Sequence, residues 1–150
     1  MALVNRIETN IISKLSSTVG LSAVTSDIIN KQIATLATAD TVYTATRTIA
    51  GGAIAIDLNG TLADPVGTAI TFATVMLVYV YNNGDNAMTV GAANNIPMLA
   101  AGDVVNLAAD AYFQYIDPAG ITVTAGTGDL ITVSGTNDDT FGIIVIGVAP

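Results

Sequence analysis

Three short stretches hold most of the side chains that could do chemistry. YVYNNGDNAMTV (79–90) sets Asp85 among Asn82, Asn83 and Asn86, and GTNDDT (135–140) sets Asp138 beside Asp139. Tyr79, Tyr81, Tyr112, Phe113 and Tyr115 supply rings at close spacing. A calcium site wants several oxygen ligands, usually with more than one carboxylate. The first loop offers one carboxylate, and neighbours such as Asp138 and Asp139 point apart on an extended chain. Asn and Gly tolerate positive φ and Asx side chains close local turns, so NNGDN reads first as a hairpin turn. A pair of carboxylates could serve glycoside hydrolysis, but Asp64-Pro65, Asp117-Pro118, Gly84-Asp85 and Gly102-Asp103 are turn contexts. A serine nucleophile needs a base; there is no His, and a Ser–Lys arrangement would need Lys14 or Lys31. With no Cys there is no thiol or zinc-thiolate chemistry. AGTGD (125–129) is no phosphate loop, because no Lys follows it. The tyrosines could form a sugar-stacking platform; packing in a core or an interface is the commoner use of such rings. The expectation is no catalytic residue, no cofactor and no metal ligand.

Composition points the same way. Charged residues are 11% of the chain, against roughly 25% in an ordinary soluble domain, and hydrophobic residues are 51%. The four basic residues, Arg6, Lys14, Lys31 and Arg47, all precede position 48, while residues 48–150 carry nine Asp and no cation. Such a body repels phosphate, so nucleic acid is not an expected partner. The longest apolar-rich run, AITFATVMLVYVY (69–81), is too short for the roughly 20 residues a helical membrane span needs. The start of the chain lacks the apolar core and cleavage site of a secretory signal. No membrane partner is expected.

Those residues must be positioned by two kinds of segment. In 2–37, Leu3, Ile7, Ile11 and Leu15, then Ile29, Ile33 and Leu36, recur at helical spacing, with Ser26-Asp27 as an N-cap. This predicts two short amphipathic helices, or one helix and a partly extended arm; the β-branched content keeps strand open as a competitor. From about residue 41 the period becomes two, and turn clusters (LADPVG, NNGDN, NNIPMLAAGD, DPAG, GTNDDT) separate about nine short strands. The segment 121–134 reads as a hairpin around AGTGD, with Ile121, Val123, Ile131 and Val133 inward. The fold class is therefore all-β, an antiparallel sandwich or jelly roll (41–150) behind an N-terminal arm (1–40) that is a candidate helix. Two strands are apolar on both faces. In 70–81, Ile70, Phe72, Met76, Val78 and Val80 fall on one face, and Val75, Leu77, Tyr79 and Tyr81 on the other. In 141–148, Phe141, Ile143 and Val145 oppose Ile144, Ile146 and Val148. A lone sandwich buries only the inner faces, so the arm or another subunit must cover the outer one.

The run RTIAGGAIAIDLNGTLADPVGTAITFATVMLVYVYNN through MTVGAA, then GITVTAGTGDLITVSG and the closing TFGIIVIGVAP, resembles a group of small structural proteins of tailed bacteriophages, over residues 45–149. The resemblance implies a head decoration (cement) protein: a non-enzymatic virion component on the outer surface of the capsid, made in the host cytoplasm. It implies a homo-oligomer, a trimer first, docked on the major capsid protein of the same virion, and it carries over no functional residue. The alternative is a tail-fibre or adhesin module that binds a host glycan through its tyrosines.

Overall fold

The computed structural model of the 150-residue chain describes residues 5–19, 22–36, 38–60, 62–64, 66–91, 95–100 and 102–150, with side chains from Leu36 onward. Alternating Ile or Val with Thr or Ser suits a pleated, half-buried surface. The described residues form twelve strands and no helix: β1 (Asn5–Val19), β2 (Ser22–Leu36), β3 (Thr41–Thr48), β4 (Ala53–Asp57), β5 (Leu62–Ala63), β6 (Ala69–Ile70), β7 (Thr74–Asn82), β8 (Met88–Val90), β9 (Val105–Leu107), β10 (Tyr112–Thr122), β11 (Leu130–Ser134) and β12 (Thr140–Val148).

The arm corrects the helical reading. β1 and β2 pair antiparallel from Asn5↔Leu36 to Val19↔Ser22 and form a two-stranded sheet of their own. Ile, Val and Thr lose side-chain freedom in a helix and pack well on a pleat, and that preference overrides the helical spacing of Ile7, Ile11 and Leu15. Leu3 lies outside the described residues.

The body is a sandwich of two four-stranded antiparallel sheets, ordered β10-β7-β12-β3 and β4-β11-β8-β9, with β5 and β6 forming a small clip. Consecutive strands alternate between the two sheets, and only the β8–β9 link stays within one. Eight strands wired in this way make a jelly roll. The wiring changes what the turn clusters do. Ile121 pairs with Val75 in the first sheet, whereas Leu130–Ser134 pairs with β4 and β8 in the second. The expected 121–134 hairpin is thus a link between layers, joined only by a Thr124↔Gly128 bridge. NNGDN and GTNDDT also pass between layers, from β7 to β8 and from β11 to β12. Turn chemistry specifies where the chain reverses, while the partner of each strand is decided by which apolar faces meet. DPAG (117–120) is an irregularity within β10, where the register shifts between Ile116 and Ile121.

The core lies between the sheets. Tyr43, Ile56, Val78, Val80, Met88, Val90, Ile131, Val133, Phe141, Ile143 and Val145 are buried there with Leu58, Phe72 and Ile96 from the connections. One predicted face changes partway. Ile146 pairs with Leu77 but Gly147 pairs with Val75, so Met76 has no opposite residue. This bulge puts Val75 into the inter-sheet core and Met76 on the outer face, exchanging the faces that strict alternation through 70–81 gives these two residues, while Leu77 keeps its expected face.

Candidate functional site

The outer face of the first sheet follows from the pairing. One row runs Thr46, Gly142, Tyr81, Tyr112; the next Thr44, Ile144, Tyr79, Gln114; the third Val42, Ile146, Leu77, Ile116. None of the twelve is charged. The third row is closed over: Leu36 is fully buried and, with Ala39, packs with Met76, Leu77 and Ile146 in a second cluster. The first two rows stay open. Tyr112 is 55% and Ile144 37% exposed, and the Tyr79 and Tyr112 rings stack at 5.6 Å with 29° between planes. The end of the arm therefore covers part of the outer face and leaves an uncharged aromatic surface beside it.

The rim of this surface is built by a buried amide and an exposed carboxylate. Asn82, at the end of β7, is fully buried and donates through Nδ2 to the carbonyls of Asn86 (2.9 Å), Leu107 (3.1 Å) and Ala108 (2.9 Å). Its Oδ1 accepts from the Gly84 N–H at 2.9 Å. One side chain thus holds the 83–87 turn and the 108–111 turn together. Asp110 has a positive φ of 61°, and its Oδ1 accepts from the Tyr81 hydroxyl at 3.1 Å. That bond, which favours the neutral phenol, holds the Tyr81 pKa above the ordinary tyrosine value.

The five aromatic residues divide. Tyr79, Tyr81 and Tyr112 share the outer face, while Phe113 and Tyr115 pack against the inter-sheet core. Burial, then Asp117, raises the Tyr115 pKa. The aspartates disperse. Asp57, Asp64 and Asp117 each accept a main-chain N–H two residues ahead (3.0, 3.0 and 2.9 Å), and Asp129 accepts from Gly126 at 2.6 Å. Asp85 and Asp138 are exposed turn residues. Asp139 is buried, accepts from the Asn86 amide at 3.3 Å through Oδ1, and has no hydrogen-bond partner at Oδ2. Among the described residues no three His, Cys, Asp or Glu side chains gather as a metal-binding group. Two open clefts, of 370 and 310 Å³, flank β5; the second sets Arg47 and Asp57 in its wall without a further ionisable partner. Residue pattern located the tyrosines and Ile144. It missed Asn82, whose position as the last residue of an apolar strand before Asn-Gly is the only cue, and Gln114, which has none.

No family model, curated protein or solved structure matches the chain.

Proposed function

We propose that this protein is a non-enzymatic structural component that works by joining copies of itself, and specifically a decoration protein on the capsid of a tailed bacteriophage. The observation that carries the reading is the open, uncharged outer face of the first sheet. A single chain leaves Ile144 and Tyr112 in water on a face with no charged residue, and contact cores are characteristically depleted of charge and enriched in tyrosine. The acidic body, with no basic residue beyond Arg47, suits the outside of a shell whose contents are polyanionic. Jelly rolls recur in viral capsid domains, which is support by analogy of fold alone.

Two measurements test it. Light scattering on a sizing column at micromolar concentration should give a trimer or larger species; a single-chain mass refutes the self-joining part. Particles lacking the protein should recover it from solution when the full chain is added, and not when residues 1–40 are deleted. Equal recovery by the truncated chain removes the arm from docking.

A second reading has one observation in its favour. Tyr79, Tyr81 and Tyr112 share a face, two of them stacked, and jelly rolls also serve as lectin domains. In that case the surface takes a host glycan, and Tyr112→Ala abolishes a signal on a glycan array. Silence of the unaltered protein across a broad array retires this reading.

A further inference from the structure

The ribbon β1–β2 sorts its residues by register. One face holds Ile7, Ile11, Leu15 and Val19 with Val24, Ile28, Ala34 and Leu36, and no charged residue. The other face holds all five of its charges, Arg6, Glu8, Lys14, Asp27 and Lys31, with Lys14 directly opposite Asp27. A two-stranded ribbon on its own is marginal in water, so an uncharged face of this length needs a surface to lie on. Fifteen residues per strand give a ribbon of about 50 Å, whereas the nine-residue β7 and β12 span about 30 Å. The ribbon is longer than the sheet face at its root. That face in turn is left with Ile144 and Tyr112 exposed beside the buried Leu36.

We infer that the uncharged face of the ribbon of a second copy lies over the open tyrosine rows of the first sheet. Three observations converge on that occupant. The uncharged ribbon face and the twelve paired positions of the sheet carry no charge, and the carboxylate bonded to them, Asp110, is exposed at the rim, so pressing the two faces together buries no unpaired ion among those positions. Leu36 belongs to the uncharged ribbon face and already packs on this outer surface through Met76, Leu77 and Ile146, so the contact extends one the fold makes itself. The ribbon's other face carries three cations against two anions, a balance opposite in sign to that of residues 48–150, which hold nine Asp and no cation. Each copy gives a ribbon to one neighbour and receives one from another, in a closed ring.

This inference rests on the self-joining reading, and the experiment separates the two. The chain contains no Cys, so single replacements report contacts cleanly. Copies carrying Ile7→Cys, Ile11→Cys or Leu15→Cys are each mixed with copies carrying Tyr112→Cys and oxidised. A mixed disulfide from at least one pairing is expected, and its loss when Ile12→Cys, on the charged face, replaces the ribbon partner. Ile144→Lys, a change at an exposed position, should reduce the assembly to single-chain mass with its circular dichroism intact. Assembly without any mixed disulfide overturns the inference and leaves self-joining standing, as does a disulfide formed only within one doubly substituted chain. A single-chain mass for the unaltered protein overturns both. A glycan that binds the assembled protein and is lost with Tyr112→Ala also overturns it, since the rows are then open to solvent.

Discussion

Asn82→Ala should be one of the most damaging single changes in the body away from the hydrophobic core. The side chain is fully buried and makes four hydrogen bonds between 2.9 and 3.1 Å. Removing it leaves the buried Leu107 carbonyl without this donor, at a cost of about 2 kcal/mol; the bonds to Asn86, Ala108 and Gly84 are partly open to water and lose about 0.5 kcal/mol each. The sum is about 3.5 kcal/mol, a large share of the 5–15 kcal/mol that holds a typical domain together. At about 2–4 °C per kcal/mol for a chain of this size, the melting temperature falls by roughly 10 °C. Asn82→Asp is the sharper probe. It keeps the acceptor for Gly84 but turns a carboxylate toward three carbonyl oxygens, so it should cost more than Ala at pH 7 and recover part of the loss at pH 4, where protonation restores one donor. Urea titrations with unchanged slope measure both. A loss below about 1 kcal/mol for Asn82→Ala, within the range of ordinary surface changes, or an Asp variant as stable as the parent at pH 7, refutes the idea that one amide clamps the two turns.

Gly147→Ala should cost about 3 kcal/mol or more, because a Cβ there would collide with the Thr74 carbonyl oxygen and press on the Phe72 ring at 2.9 Å; a thermal midpoint within a few degrees of the parent would show that the β7–β12 bulge yields. Phe141→Ala, at a position with no exposed area, should cost about 3–5 kcal/mol in urea; a cost under about 1 kcal/mol would mean the sheets close over the space. With no His, the urea midpoint should be flat between pH 6 and 8. On the acid side, the Ala149 N–H and the Thr41 hydroxyl depress the Asp40 pKa, so its contribution is complete above the ordinary carboxylate range and is lost as pH falls through the lowered value; Asp40→Asn should shrink that acid limb. On the alkaline side, Tyr81 and Tyr115 are raised, so their contribution is complete below the ordinary phenol value and is lost as pH climbs through the raised ones; Tyr81→Phe should shrink that limb.

Much of the body was legible because its strands obey a period of two. Ile131 and Val133, and Phe141, Ile143 and Val145 are inward as alternation requires. Where alternation failed, one extra residue was the cause: Met76 has no partner, and nothing local marks it, since the register shift is set against β12, between Ile146 and Gly147, some seventy positions away. The inter-layer links were hidden for a related reason. Asn-Gly and Gly-Thr-Gly announce a reversal, but whether the next strand returns beside the last or crosses to the other sheet depends on contacts with segments far along the chain. In the arm two periods compete in the same residues. Ile7, Ile11 and Leu15 fit a helix at four-residue spacing and also fit one face of a strand, so hydrophobic spacing alone could not decide. The open tyrosine rows were half visible: pattern gave a second apolar face, and only the placement of Leu36 showed how much of it the chain itself covers.

The order in which the strands interleave bears on how such a molecule comes into being. β12, the last of the twelve strands in chain order, lies between β7 and β3 in the first sheet. Until it is in place, β3 has no neighbour in that sheet and β7 is bare along one edge, so the first layer closes only with the last of its own strands. Contacts this distant in sequence make for slow assembly, and a chain cut short before Thr140 has an unpaired edge where β12 belongs. The ribbon β1–β2, whose strands follow one another directly in chain order, has no such wait. A nascent copy thus displays the element we assign to a neighbour before it has a finished surface to receive one.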